Sequence, residues 1–411
     1  MKAVHSLRAV AAAAALAAAP AASADVPADA ALRAAEIIGA AKLPHNGLNY
    51  RAMAIVEVSA YEAVNAVTGK FPAGRVKLER AKGASVEAAL ASATRAALAA
   101  LAPSQAQAIQ ASYEAALAGI PEGASKAAGI AVGERSAAAV LALRAADGWD
   151  IAETYRPAAA PGQYVPTPVP LMSEWGRRKP WVLASPDQFR PPPPPALSSE
   201  VWARDHQEIR RMGARSGSAR TAEQTTAARY WEGSGPAMYV VVVRSALQGA
   251  GREVTESTRL LATAAMAMDD ALVAVMDAKW TYRFWRPITA IRNADQDGND
   301  ATVRDASWLP LIDTPQHPEY PCAHCIVAGA VAAVLEAGFA GGSIPALSGT
   351  SPALPGVTRT WATPADLVKE VSEARICDGV HYRTSTEVGA AMGRKIGALA
   401  AEHELKLAAN R

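Results

Sequence analysis

The sequence predicts an all-α protein of two or more antiparallel helical bundles, and three observations carry that prediction. Ala-rich segments with apolar residues three and four apart recur along most of the chain. Alternating runs of β-branched residues, the signature of half-buried strands, are nearly absent. One stretch, 150–197, breaks the pattern with a dense run of proline and tryptophan and reads as a segment wrapped around the helices.

In order, the periodicity predicts helices over 30–42, 50–68, 85–101, 104–117 and 125–146. Within 150–197, Pro191 to Pro195 favour polyproline II, which serves a structural connector or, less simply, a docking motif for a proline-reading partner. Helices resume over 198–215, 221–232 and 236–250; the Val-rich run 240–243 fits the last of these as well as it fits a strand. A long, bent helix is expected over 255–286, ending where Pro287 pushes Arg286 out of the helical region. The segment 295–299 resembles a calcium loop faintly but lacks the downstream Glu, so it reads as a solvated turn. The last helices are predicted over 323–335, 364–377 and 384–407.

Composition bounds the function. Half of the 411 residues are apolar, enough for a large core. A net charge of +2 is too balanced for a nucleic-acid partner or an acidic membrane surface. Residues 1–24 have the form of a secretory leader: Lys2 and Arg8, an apolar run, then Ala22-Ser23-Ala24 at the cleavage site. Export to the periplasm or medium is the expectation. Beyond the leader no run reaches the ~18–20 apolar residues that span a bilayer; Arg244 interrupts the best candidate. With no internal repeat or long flexible linker, residues 25–411 read as one domain with its catalytic core at 255–411.

Chemistry-bearing residues concentrate in three blocks. Lys279 and Arg286 are seven residues apart, two turns on one helix face. The stretch His317-Pro-Glu-Tyr-Pro-Cys-Ala-His-Cys325 places His324 in the first turn of a helix, where free N–H groups attract anions. Arg375 and His381 are six apart, and Gly379 between them provides the break that turns both inward. Three fixed cations and two imidazoles make a pocket for a tetrahedral oxyanion. His45, His206 and His403 lack such surroundings and read as structural; His317 reads as a loop-orienting or supporting residue.

All three cysteines, Cys322, Cys325 and Cys377, lie in these blocks. In an oxidising compartment one disulfide and one free thiol are expected. The convergence of the blocks favours pairing Cys377 with Cys322 or Cys325; a redox-active Cys322-x-x-Cys325 is the alternative. Zinc is disfavoured for want of a second Cys or His pair at ligand spacing.

These blocks resemble the vanadium-dependent haloperoxidases and their relatives, the type 2 phosphatidic-acid phosphatases. That family reads Lys-x6-Arg-Pro, then Pro-Ser-Gly-His, then Ser-Arg-x5-His-x3-Asp. The first block is intact here. The second is Pro321-Cys322-Ala323-His324, and the third runs from Ala374-Arg375 to His381, with Ser385 in the place of Asp. Weaker likeness to the bacterial haloperoxidase-like branch extends over 51–65, 188–191 and 220–224.

The resemblance implies helical bundles of that type, with vanadate as cofactor and phosphate as competing ligand. It implies that His381 binds the central atom, that Lys279, Arg286, Arg375 and the Ala323 N–H hold the oxygens, and that His324 is the acid–base. Cys322 would stand in for the family's Ser. Ser385, Glu387 or a backbone carbonyl would replace the missing Asp behind His381. Two enzymatic readings follow: halide oxidation by peroxide at a His-bound vanadate, or phosphomonoester hydrolysis through a phosphohistidine. A pocket that only binds oxyanion is the third reading. Small molecules are the expected partners, with no nucleic acid and no membrane span.

Overall fold

The computed structural model describes residues 25–406, so the leader expected over 1–24 lies outside the described residues. The first bundle comprises α1 (Val26–Ala40), α2 (Asn46–Thr68), α3 (Val86–Leu101), α4 (Ala106–Leu117) and α5 (Ala124–Leu143). After the connector come α6 (Glu200–Met212), α7 (Ala222–Tyr230) and α8 (Ala237–Leu247). The second bundle is built from α9 (Val254–Tyr282), the short α10 (Pro287–Arg292), α11 (Ala323–Gly338), α12 (Pro364–Cys377) and α13 (Arg383–Ala401). Ser85, Ser199, Thr221 and Thr363 cap their helices through side-chain oxygens, and Thr221 with Gln224 forms a full capping box.

Two helices are buried nearly all round, α2 and α9, and they pack on each other where the bundles meet. Helices buried on nearly every face belong in the interior, and the polar groups they carry must then find partners there. A buried ion cluster fastens this junction. Arg51 on α2 pairs with Asp147 at 3.0 Å, and Arg178 pairs with Asp147 and Asp269, both at 2.9 Å. The neighbouring Asp270 accepts from the Trp181, Val182 and Leu183 N–H groups at 2.6, 2.8 and 3.0 Å. The connector is thereby strapped to α9. Farther on, Arg190 grips Asp277 through two bonds of 2.7 Å, and the Pro191 and Pro192 carbonyls accept from the Tyr282 and Tyr320 hydroxyls. The wrap is structural, and its carbonyls steady residues next to two of the three blocks.

The all-α class and the Pro-rich wrap are as expected; four details differ. The long helix ends at Tyr282, not Arg286, because Arg283 adopts φ +50 and its N–H closes on Lys279 O. A short antiparallel hairpin, β1 (Leu347–Thr350) and β2 (Thr358–Trp361), went unpredicted, since four-residue strands give little periodicity. The turn at 295–299 is not merely solvated: Asp297 is buried and accepts from the Trp202 indole at 2.8 Å. The last helix gives way to a π turn over Glu402–Lys406. Among the described residues, no helix is long and apolar enough to cross a membrane.

α11 and α13 approach closely because α13 presents glycine every fourth residue. A Cβ at Gly389, Gly393 or Gly397 would stand 2.6, 2.0 or 2.2 Å from the carbonyl oxygens of Cys322, Ile326 and Ala330. That contact fixes the N-terminus of α11, which carries His324. Gly393→Ala should therefore lower stability by about 1–3 kcal/mol, the scale of overpacking. Gly39→Ala, with open space around it in α1, should instead raise it by up to about 1 kcal/mol. Thermal unfolding of both variants followed by circular dichroism checks the contrast; equal effects would refute the packing argument.

Candidate functional site

The three blocks converge, but not along one helix. Lys279 stands in the last turn of α9 and Arg286 caps α10, so the chain turns between them. This turn is held from two sides. The connector contributes Tyr164 N–H to Arg283 O at 2.7 Å and accepts Trp285 N–H at Gly162 O at 3.1 Å; Glu319 N–H donates to Phe284 O at 2.9 Å. The two cations then reach the same loop by different routes. Lys279 Nζ donates to the carbonyls of Pro318 and Glu319 at 2.9 and 2.7 Å. Arg286 donates to His317 O at 2.9 Å and Val380 O at 2.8 Å, and meets the rings of His317 at 3.0 Å and His381 at 3.3 Å.

The third block turns as its glycine requires. α12 stops at Cys377, Gly379 takes φ +87, and its N–H closes on Ile376 O. His381 N–H reaches back to Arg375 O at 3.1 Å, which joins the backbones of the two functional residues. A Cβ on Gly379 would lie 2.5 Å from Gly213 O, so space as well as φ demands glycine.

The acceptor behind His381 is Glu319, a residue the sequence reading had not assigned. Its Oε1 lies 2.8 Å from His381 Nδ1 and also accepts the Tyr382 N–H at 3.1 Å. Ser385 Oγ stands 3.4 Å from the same nitrogen, and Glu387 is exposed. Ser385 thus keeps a long contact behind His381, while the short one comes from a carboxylate 62 residues away in sequence. With Glu319 as acceptor, the proton belongs on Nδ1, and Nε2 is left as an acceptor that faces Arg286 Nη1 at 3.3 Å. Burial and then the Lys279 and Arg286 charges bear on Glu319 in opposite senses, and its carboxyl is pushed up to about 7. His381 is held well below the ordinary imidazole range by burial and by Arg286, Lys279 and Arg375.

The second block also differs from expectation. Cys322 is bonded to Cys325, and Cys377 is free and buried. The proposed bridge from Cys377 is therefore wrong: the two sulfurs at the start of α11 are three residues apart and on one helical turn, while Cys377 packs with Leu311, Ile312 and Val380. Cys322 remains the N-cap of α11, its Sγ accepting the Cys325 N–H at 3.2 Å. His324 sits in the first turn as expected, with Nε2 3.1 Å from Gly233 O. Burial, and next the Arg375 charge, keep it well below the usual range, so it is neutral at pH 7.

A cavity of about 660 Å³ opens onto these groups. Arg375, His324, His381, His317 and Ala323 form its inner end, while Lys279 and Arg286 lie behind, sealed from solvent. His45, expected to be structural, lines the same cavity with its ring against Trp175. His206 is buried against Trp202, away from the cavity.

Three cations face two buried carboxyls, Glu319 and Asp378, each pushed up to about 7 by burial. Burial lowers Arg286 to about 10, with Glu319 and Tyr164 opposing the shift and Arg375 adding a smaller push downward. Arg375 donates to Trp231 O at 2.7 Å and keeps a buried Nε without a partner. Among the described residues no cluster of three His, Cys, Asp or Glu could hold a bare metal cation. The donor set instead fits a tetrahedral oxyanion: one unprotonated imidazole nitrogen, surrounding basic side chains and an unpartnered guanidinium N–H.

If Glu319 positions His381, Glu319→Ala should weaken oxyanion binding roughly 10–100-fold, as loss of an outer-shell partner does. Nitrogen NMR of His381 should show the Nδ1–H tautomer above pH 7, lost as pH falls and the carboxyl takes up its proton near 7. Unchanged spectra in Glu319→Ala would refute the assignment. Arg375→Ala should weaken binding by about 1.5–3 kcal/mol, read by titration calorimetry with vanadate or phosphate.

Comparison with known proteins agrees with this geometry. The whole chain resembles a bacterial vanadium-dependent iodoperoxidase, with TM-score 0.77 at 23% identity over 92% of this chain and 96% of that one. It resembles the holo form of a bacterial vanadium-dependent chloroperoxidase with TM-score 0.71 at 17% identity, covering 87% and 91% of the two chains. At such identities the likeness is one of fold. No curated protein matches the sequence. Residues 259–410, which hold all three blocks, match the family of the VCPO second helical-bundle domain. The C-terminal bundle thus matches that domain family, and the chain as a whole shares the fold of the bacterial vanadium-dependent haloperoxidases.

Proposed function

We propose that this protein is a vanadate-dependent haloperoxidase, which oxidises halide with hydrogen peroxide at vanadate bound to His381. The observation that carries the reading is the pairing of Glu319 with His381 inside a cavity end of net positive charge. His381 would supply the single protein ligand through Nε2. Arg375 would donate to the oxygens at the cavity surface, with Lys279 and Arg286 adding charge from behind and the Ala323 N–H from the start of α11. Vanadate, when bound, supplies a Lewis acid that activates peroxide without changing its own oxidation state.

The residues' own part follows from their protonation. His324, neutral and lining the cavity, is prepared to take a proton from incoming peroxide. The Gly233 carbonyl holds its Nε2–H and so leaves Nδ1 as the base. The buried surroundings keep water from competing and strengthen each charge interaction.

Phosphomonoester hydrolysis on the same pocket is the second reading, since a carboxylate-backed His381 is also a competent nucleophile. It needs His324 protonated to release the alcohol, and burial beside Arg375 opposes that. The disulfide further favours the peroxidase reading. Joined to Cys325, Cys322 presents no thiol for peroxide or hypohalous acid to consume.

Purified protein titrated with vanadate, then given bromide and peroxide, should brominate phenol red in proportion to bound vanadate, and His381→Ala should reduce the rate to background. Aryl phosphate hydrolysis should be slow and inhibited by vanadate. Fast ester hydrolysis without bromination at any vanadate level would reverse the two readings.

A further inference from the structure

A second cavity, of about 520 Å³, lies between the connector and the last two turns of α9. It has one lining residue, Met276, in common with the cavity of the oxyanion site, and the function proposed above makes no use of it. Its volume falls within the roughly 300–1,000 Å³ of sites that hold a small organic molecule.

Charge is unevenly matched there. Three arginines, Arg156, Arg177 and Arg283, line the cavity with two carboxylates, Glu174 and Asp277. Each carboxylate already has a partner. Arg177 donates to Glu174 at 2.9 Å, and the Thr154 hydroxyl donates to the same group. Arg190 grips both oxygens of Asp277 at 2.7 Å. Among the described residues, Arg156 and Arg283 are left without a carboxylate. A planar guanidinium matches a carboxylate through two parallel N–H bonds.

Arg283 also occupies a conformation that favours glycine. It follows the last residue of α9 at φ +50. Its Nε closes on Trp280 O at 3.0 Å, and its Cζ stands 6.0 Å from the centre of the Tyr155 ring. That arrangement leaves the two terminal nitrogens for an occupant. Aromatic groups complete the lining. The Tyr155 and Trp280 rings meet at 4.6 Å with a tilt of 57°, and Met276 adds a thioether. The Tyr155 hydroxyl is engaged by Tyr164 O at 3.1 Å, whereas the buried Trp280 indole N–H has no partner. Ring faces and polarizable sulfur both favour contact with a further aromatic ring. An inorganic anion would use the arginines and leave these groups idle.

We propose that this cavity is a second anion site, which binds an aromatic carboxylate. Arg156 and Arg283 hold the carboxylate, and Tyr155, Trp280 and Met276 receive the ring. The proposal stands apart from the haloperoxidase reading and does not need it.

The test uses the full chain without vanadate and with 2-naphthoate as probe. Titration followed by the probe's fluorescence should show saturable one-to-one binding. Arg156→Gln and Arg283→Gly should each weaken it at least fivefold. Both replace exposed side chains, and glycine suits the backbone at 283. Arg375→Ala, in the other cavity, should leave it within twofold. Acetate, which lacks the rings, and 2-naphthol, which lacks the charge, should each bind at least tenfold more weakly. Absence of saturable binding, or both surface variants within twofold of the wild type, would overturn the proposal. Loss of binding in Arg375→Ala with Arg156→Gln unaffected would place the probe among the oxyanion groups and overturn it too. Acetate or 2-naphthol binding as tightly as naphthoate would remove the ligand class, and the proposal with it.

Discussion

Positive charge out of reach of water is the constraint around which this protein is built. Lys279, Arg286 and Arg375 are almost wholly buried, and the desolvation of each ion costs several kcal/mol even after relaxation. The chain answers with backbone. Carbonyls of Trp231, His317, Pro318, Glu319 and Val380 accept from the three side chains. That requirement explains the irregular shape of the chain around the site. A continuous helix through Arg286 would have spent its carbonyls internally and could not have brought the 317–319 loop against α9. The partial compensation also shapes the site, because two buried carboxyls face three basic side chains.

The parts legible in the sequence were those whose cause is local. Gly379 between Arg375 and His381 announces the break, and the structure shows it at φ +87. Pro321 ahead of Ala323 announces the start of α11, and His324 appears in its first turn. Helix periodicity located the bundles to within a few residues. What escaped was set by tertiary contact. Glu319 stands two residues from His317, in a stretch already singled out, yet its bond to His381 spans 62 residues and leaves no spacing to read. Arg283 ends α9 in a left-handed conformation that no glycine or proline announces, stabilised instead by pairing with the connector. The disulfide was misassigned for the reverse reason. Convergence of blocks argued for a long-range bridge, whereas adjacency on one helical turn had already satisfied two of the three thiols.

His45 illustrates a further limit. Nothing near it in sequence marks it as part of a site, and its ring packs edge-on against Trp175 as a structural histidine would. It lines the cavity only because α2 crosses α9 and the connector folds over both. The halves of the chain contribute unequally: the C-terminal bundle supplies Arg375, His324 and His381, and the N-terminal bundle with its strap adds Tyr50, Leu171 and Met172 to the cavity wall.

The glycine ladder of α13 has a consequence for how such a protein can change over time. Each of Gly389, Gly393 and Gly397 meets backbone, which cannot swing aside as a side chain can. Drift along that face is closed to every other amino acid unless two helices separate, and separating them would displace His324. The mouth obeys no such rule, since Pro168 and Leu171 sit on irregular, solvent-facing chain where size and polarity can vary without moving a helix. Innovation is thereby channelled: new substrate preferences can arise at the rim while the reactive end stays geometrically locked.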